Sequence, residues 1–371
     1  MSEAATESRP ARSRRQVRRN ATRLLIVAAL YFSILVYPVL RLVSLLLPGW
    51  TPGTLALLAV IVLPLALRMS HERWPGAATR VLSSIALTWL GVCFQLFAMM
   101  LVFEIANLCF ALPHRTAGIA MLIANALLTA IGFANAQWLR TRTVRIPAPA
   151  AVAGKRLVQV SDVHVGSRSP ALLVRIAARV RSLAPDYVAI TGDLVDFSGI
   201  SHAELAPLAN LGAPTYFAIG NHERYVDLAD IDQRLRGHGL RVLRDSAEID
   251  GPFQFIGVDD DESLERVAAR LARISLSQHH YGVLLYHRPD GFDAAAERGI
   301  PLTLSGHTHA GQLIPFNFIV KRVFPRMVGL FELNGSRLYV SPGTGTWGPI
   351  LRIGSRSEIT VIEFVAAQDP C

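Results

Sequence analysis

Four apolar stretches crowd the first 140 residues of this chain, near 24–47, 55–67, 81–112 and 117–139. About 20 apolar residues are needed to cross a bilayer as a helix. Within hydrocarbon only helices and closed barrels satisfy their own backbone groups, so runs like these admit little else. The first and third have length to spare and the fourth fits, while the second is short and carries Pro64. We expect about four transmembrane helices over residues 24–140, behind a basic tail at 1–23. Arg14-Arg15 looks like part of a twin-arginine export signal. The long run after it, with no small-residue cleavage site at its end, favours a retained first helix.

Charge orders the ends of these helices. Residues 1–145 hold 15 Arg, no Lys and 4 acids, a balance of +11; residues 146–371 hold 22 basic and 24 acidic residues, a balance of −2. The whole-chain excess of +9 thus belongs to the apolar half. It reads as membrane anchoring, and no specific nucleic-acid partner is expected. Seven Arg precede the first run, three lie at 68–80 and three at 140–145, against one in each alternate link, Arg41 and Arg115. The positive-inside rule then expects a multi-pass protein of the cell (inner) membrane with both termini in the cytoplasm.

Glu104 and Asn107 fall inside the third run. An acid there is costly unless it faces the bundle interior or finds a partner. We read Glu104 as a bond between neighbouring helices, because one acid without a basic partner in the membrane makes a poor transport path. Cys93, Cys109 and Cys371 form neither a disulfide framework nor a Cys-x-x-Cys pattern.

A Pro- and Ala-rich linker is expected at 141–154. From 155 to 371 short β-rich runs ("RLVQV", "YVAI", "TYFAI", "FQFIGV", "GVLLY", "LTL", "RLYV", "ITVIEF") alternate with amphipathic helices near 171–183, 227–236 and 263–274. That alternation predicts an α/β domain with mixed sheets.

The residues just past each strand narrow the function. "SDVHVG" brings Asp162 and His164, "TGDLVD" brings Asp193 and Asp196, and "GNHE" brings Asn221, His222 and Glu223. "HRPD" brings His287, and "SGHTHAG" brings His307 and His309. In open α/β sheets ligands gather at the carboxyl ends of strands. Residues i and i+2 of an extended stretch point the same way, so Asp162 and His164 can grip one ion. Oxygen and imidazole ligands without thiolate suit Mn, Fe or Zn. Two such ions about 3.5–4 Å apart can share a carboxylate and a hydroxide that attacks phosphorus in line. Taken singly each of these residues has a bland role as a turn, a cap or a surface histidine. Five ordered matches do not.

The five blocks, D-x-H, G-D-x-x-D, G-N-H-[DE], a lone His and G-H-x-H, resemble the calcineurin-like metallophosphoesterases across nearly the whole soluble half. "GHTHAGQ" and the later "SPGTGTWGP" look closest to a membrane-associated bacterial branch. The resemblance implies a four-layer α/β/β/α sandwich behind the transmembrane region, and two divalent metal ions (Mn, Fe or Zn). It implies Asp162, His164 and His309 on the first metal, Asn221, His287 and His307 on the second, and Asp193 as the bridge. His222 would orient phosphate and protonate the leaving oxygen, with Asp196 and Glu223 orienting the ligands. Arg352 is a candidate for binding substrate phosphate.

The expected activity is hydrolysis of a phosphodiester, phosphomonoester or pyrophosphate by metal-bound hydroxide. The substrate is a phosphorylated compound, with lipid and nucleotide-sugar carriers both open. No protein partner is predicted. Two rivals stand beside this reading: a catalytically silent metal-binding sensor or scaffold, and a transporter with a regulatory domain. His222 argues against the first and the sparse polar groups of the spans against the second. The segment "PFNFIVKRVFPRMVGLFELNG" leaves two readings open. It is a packed loop and strand over the site, or a lip whose Lys321, Arg322 and Arg326 meet lipid headgroups.

Overall fold

The computed structural model describes residues 14–197 and 200–367; most of the basic tail and Cys371 lie outside the described residues. Twelve strands are present among them: β1 (Arg140–Ala148), β2 (Arg156–Val160), β3 (Tyr187–Thr191), β4 (Thr215–Ala218), β5 (Arg241–Val242), β6 (Ser246–Asp250), β7 (Phe253–Gly257), β8 (Tyr281–Leu285), β9 (Leu302–Ser305), β10 (Gly329–Leu333), β11 (Ser336–Val340) and β12 (Glu358–Ala366). They form two six-stranded sheets, in the orders β1-β12-β2-β3-β4-β5 and β10-β11-β9-β8-β7-β6. Both are mixed: the first is parallel except between β12 and β2, and the second is parallel from β11 through β9 and β8 to β7 with antiparallel pairs at its two edges.

Period-2 alternation builds the layers. On β2, Leu157 faces the core between the sheets, beside Tyr216, Phe255, Leu304 and Ile362. Its neighbours Val158 and Val160 face the other way, onto α6 (Pro170–Ser182). The helices α7 (His202–Leu205) and α8 (Leu228–Gly237) cover the same sheet. α9 (Leu264–Arg273) and α10 (Phe292–Glu297) cover the second sheet through Val267, Leu271 and Ala295 against Ile256 and Leu284. Strands buried on both faces read as continuous apolar runs, which is why "YVAI" and "GVLLY" stand out in the sequence. The result is the four-layer α/β/β/α arrangement.

The expected linker is a correction. Residues 140–148 form β1, an edge strand parallel to β12 in register from Arg140↔Glu358 to Ala148↔Ala366. Val144, Ile146 and Ala148 alternate into the core while the residues between them stay exposed. Pro147 is tolerated because the strand lies at the edge of its sheet.

The apolar half is helical: α1 (Arg14–Tyr31), a π-helical turn at Phe32–Val36, α2 (Tyr37–Leu46), α3 (Thr54–Arg73), α4 (Ala77–Cys109) and α5 (His114–Gln137). Among the described residues, four helical stretches are long and apolar enough to cross a membrane: Arg19–Leu46, Thr54–Arg73, Ala77–Cys109 and His114–Gln137. The second, short by its apolar run alone, reaches 20 residues by carrying Pro64 inside the helix.

Two compact units divide the chain, one of residues 1–65 and 92–125, the other of 66–91 and 126–371. In the first, Leu45, Leu96, Met100, Phe103 and Met121 make a small core. Contrary to the expectation from sequence, Glu104 has a basic partner there. Arg41 Nε donates to Glu104 Oε1 at 2.6 Å, and the Tyr37 hydroxyl donates to the same oxygen at 3.1 Å. Arg41 is not a residue of the link between spans: it lies one turn inside α2.

Candidate metal centre

The five motif blocks fold into turns at the carboxyl ends of β2, β3, β4, β8 and β9. Underneath them Gln159 Nε2 donates to Thr191 Oγ1 at 3.0 Å and to Ser305 O at 2.9 Å, tying the two sheets together below the site. The turns then lock onto one another. Asp162 N donates to Gly192 O (3.1 Å), His164 N to Asp193 O (3.1 Å) and Gly306 N to His287 O (2.9 Å). His307 N donates to Asp162 Oδ1 at 3.0 Å, and His222 N to Asp193 Oδ1 at 2.9 Å.

Backbone strain concentrates here. Asp162, His164, Asp193, His307 and His309 have φ of 55°, 58°, 51°, 71° and 50°. Left-handed non-glycine residues cost roughly 1–3 kcal/mol each and persist only where the surroundings impose them. Two glycines make the close approach possible. A Cβ on Gly220 would stand 2.2 Å from Asp193 Oδ1, and one on Gly306 would stand 2.3 Å from Asp162 Oδ2.

Three overlapping triads result, each offering one ligand atom per residue, all within 4.8 Å of one another: Asp162, His164 and His309; His164, Asp193 and His222; Asp193, His287 and His307. The first is the set expected for one ion. The third holds Asp193 with two of the three residues expected for the other. The remaining one, Asn221, has a solvent-shielded Oδ1 with no hydrogen-bond partner. The second triad also brings His222 close to the centre, with Nε2 3.9 Å from Asp193 Oδ2.

The inner contacts suit cations. His164 Nε2 faces His309 Nε2 at 3.2 Å, and His307 Nδ1 faces His287 Nε2 at 3.2 Å. His309 Nε2 lies 3.4 Å from Asp162 Oδ1, and His287 Nε2 lies 3.1 Å from Asp193 Oδ2. A cation between facing ring nitrogens satisfies both lone pairs, and the orphaned Asn221 oxygen is a further donor. The residues present therefore fit two metal ions of the oxygen- and nitrogen-liking kind.

Electrostatics point the same way. Burial opposes charge on Asp193, but His287, His222 and His164 together hold its carboxyl well below the usual range. Burial likewise opposes the charge on His164 and His287, yet Asp196 and Asp193 respectively raise them to about 9 and about 10. Burial, and then the neighbouring His287, push His307 down to about 3. Burial, followed by His164 and Arg352, holds His309 well below its ordinary value. Two protons thus stand where positive charge is needed, beside two neutral rings with free lone pairs.

Around the triads, Asp196 Oδ1 takes hydrogen bonds from His164 Nδ1 (2.6 Å) and His222 Nδ1 (2.7 Å), and Ser167 donates to Oδ2 of the same carboxylate. His287 Nδ1 donates to Thr191 O at 2.8 Å, turning Nε2 inward. Glu223 is fully buried and accepts from the backbone N–H groups of Asp193, Leu194, Val195 and Gly220 at 2.6–3.0 Å. That arrangement staples the second block to the third.

Arg352 corrects the sequence expectation. It is fully buried, and its guanidinium donates to the carbonyls of Pro342, Gly343, Gly345 and His309. The group expected on phosphate is spent on clamping the loop that carries His309. Arg326 is likewise engaged, in a bidentate pair with Asp293 at 2.8 and 2.9 Å. The segment after the last ligands forms α11 (Phe316–Val323) and then β10. The "SPGTGTWGP" loop, whose residues carry no ligand motif, has a structural role. Thr344 N donates to Ser161 O (2.7 Å) and Gly345 N to Asp162 O (2.9 Å), so this loop holds the first ligand turn from outside. Its density of Gly and small residues was the available signal.

The profile of calcineurin-like phosphoesterases matches residues 155–311. The chain is 36% identical over 275 residues to the Danio rerio "Transmembrane protein with metallophosphoesterase domain", across 65% of this chain and 61% of that protein. It thus spans about three-fifths of that relative. It is 34% identical over 220 residues to an uncharacterized metallophosphoesterase of Aquifex aeolicus, covering 56% of this chain and 84% of the relative. It is 27% identical over 231 residues to the Escherichia coli protein named Phosphodiesterase YaeI, across 57% and 82%. The vertebrate match means that the likeness is not confined to a bacterial branch, which corrects the expectation from sequence. Motifs, fold and relatives agree, and the chain belongs to the calcineurin-like metallophosphoesterase family.

Proposed function

We propose that this protein is a membrane-anchored, binuclear metal-dependent phosphoesterase that uses water to break a phosphodiester, phosphomonoester or pyrophosphate bond. One observation carries the reading: two sets of imidazole nitrogens face each other at 3.2 Å on either flank of Asp193. Asp162, His164 and His309 would hold one ion, Asn221, His287 and His307 the other, and Asp193 would bridge them. Bound there, Mn, Fe or Zn ions would neutralise phosphoryl oxygens and make water a better nucleophile.

The chain's own groups supply the rest. Asp196 fixes the tautomers of His164 and His222, the usual work of a carboxylate behind a metal-binding histidine. His222 sits at the rim with 15% of its side chain exposed, so it can meet substrate. There it would orient the phosphoryl group and give a proton to the leaving oxygen. Glu223 would keep Asp193 in its strained turn. Among the three bond types, the relative named as a phosphodiesterase favours the phosphodiester.

We place the sheet domain on the cytoplasmic side of the inner membrane, on the strength of the arginines at 68–80 and 140–145. A reporter active only outside the cytoplasm, fused to the C-terminus, would give no signal. A strong signal would overturn that side assignment.

The activity is tested by screening the purified full-length protein with Mn, Fe or Zn against p-nitrophenyl phosphate, bis(p-nitrophenyl) phosphate and a nucleotide-sugar pyrophosphate. Metal-dependent release on at least one is expected. Silence on all three, and on a phospholipid as well, with metal bound would support the sensor reading instead.

A further inference from the structure

A cavity of about 620 Å³ opens at Asp196 and His222. Its far side does not come from the sheet domain. Arg68 and His71 belong to α3, and Leu87 and Leu90 to α4, two helices long and apolar enough to cross a membrane. These helix segments are fastened to α7 and to the loops around the centre. Arg80 pairs with Glu204 at 2.6 Å, and the Ser84 hydroxyl donates to Ser167 O at 3.3 Å. Ile350 N donates to Thr88 Oγ1 at 3.3 Å, and the His71 ring stands edge-on to Phe197, the neighbour of Asp196, at 5.0 Å.

The lining combines polar and apolar groups. At one end lie the polar groups of the metal centre. Beside them Arg68, which pairs with Glu72 of the same lining at 3.0 Å, offers a guanidinium suited to a second oxyanion or a polar head. Leu87, Leu90 and Phe197 then form an apolar wall, joined by Trp347, which is 51% exposed. Half-exposed Trp is the residue that settles at membrane–water boundaries. The volume lies in the range of a drug-sized ligand, roughly 300–1,000 Å³. It accommodates a head group but not a pair of acyl chains. A wholly hydrophilic substrate would leave the leucine wall wet.

We infer that the phosphoester taken by this centre is an amphiphile. Its phosphate head reaches Asp196 and His222 through this cavity while its hydrocarbon remains beside α3 and α4 in the bilayer. The inference rests on the phosphoesterase reading above and narrows its substrate. α11 adds an independent feature of the same kind. It starts shortly after His309 and exposes Phe318, Ile319 and Val323, with Lys321 and Arg322 in its last turn, the composition of an interfacial helix. In the reaction the oxygen of water bonds to phosphorus and gives up a proton to solvent, the bond from phosphorus to the leaving alcohol breaks with its electron pair on oxygen, and His222 gives that oxygen a proton which it regains from solvent.

The test uses the full-length protein with Mn in lipid nanodiscs or mixed micelles. Phosphatidylglycerol and phosphatidic acid are compared with their water-soluble head groups, glycerophosphoglycerol and glycerol 3-phosphate, and with bis(p-nitrophenyl) phosphate. At least one lipid should exceed its soluble counterpart in kcat/KM by roughly tenfold or more, because the remote chain supplies binding energy that the truncated substrate lacks. The pair Leu87→Gln and Leu90→Gln should lower the ratio of lipid to bis(p-nitrophenyl) phosphate turnover by roughly fivefold or more. Turnover of soluble phosphoesters with no lipid preference overturns the amphiphile inference and leaves the phosphoesterase reading standing. No turnover of any substrate by protein carrying two metals overturns both. The wild-type comparison needs no variant, so a misfolded substitution does not block the test.

Discussion

Arg41 and Glu104 bring opposite charges together from two helices and satisfy one another, with a 2.6 Å bond and a Tyr37 hydroxyl at 3.1 Å. Around Asp193 the chain also gathers ionisable groups, but there imidazole nitrogens face each other at 3.2 Å and the Asn221 oxygen accepts nothing. The first cluster is complete as it stands, whereas the second closes its facing nitrogens only while His164 and His287 carry protons, and even then leaves the Asn221 oxygen without a partner. The backbone draws the same line. α2 and α4 are helical through the pair, while five residues of the centre sit at positive φ. Buried polar groups are nearly always partnered, so the unpartnered Asn221 oxygen beside the facing imidazoles marks a ligand site, where the Arg41–Glu104 pair marks a structural one.

Substitutions can break that contrast. The largest effect is expected from Asp193→Asn, which should lose most bound metal and turnover together. Elemental analysis and rate measured on one preparation check it, and an Asp193→Asn protein that keeps two metals and normal turnover would refute the bridging role. Next comes His222→Ala, which should keep its metal while turnover falls about 10²–10⁴-fold, the usual span of general acid–base help. The fall should shrink for nitrophenolate leaving groups, which need no proton. A fall of equal size for every leaving group would exclude the proton-donor role.

Protonation sharpens the contrast further. His164 and His287 are raised to about 9 and about 10, so both carry protons at neutral pH in the metal-free protein. A metal must displace those protons, so its affinity should fall as pH drops from about 9 toward about 6. Metal titrations by calorimetry in two buffers of different ionisation enthalpy would show the proton release. Identical heats in both buffers would contradict it. The smallest effect belongs to the helix pair. Glu104→Leu should destabilise the protein through an unpaired Arg41, and adding Arg41→Leu should recover part of that loss. Metal content should not change in either variant, which thermal melts and elemental analysis would establish.

The centre is legible in the sequence because its chemistry is local. Asp162 and His164, or His307 and His309, announce themselves by i, i+2 spacing beside glycines at a strand end. Features decided by distant contacts are not legible in this way. Residues 141–148 look like part of a linker because of Pro147, Pro149 and the alanines around them, and only pairing with β12, more than 200 residues away, makes them a strand. Arg41 looks like a loop charge until α2 continues past it and brings it to Glu104. Arg352 is the right residue type for phosphate, yet the carbonyls of Pro342, Gly343 and Gly345 take it first. Composition does not reveal which acceptor a buried guanidinium will meet. The cavity wall is hidden for the same reason, since Leu87 and Leu90 read only as membrane residues.

The central claim is that the facing histidines are a two-metal centre. Elemental analysis of the purified full-length protein, loaded with Mn, Fe or Zn and freed of loose metal by gel filtration, tests it most directly. Two ions per chain are expected. A wild-type protein that folds and holds fewer than one ion per chain would contradict it.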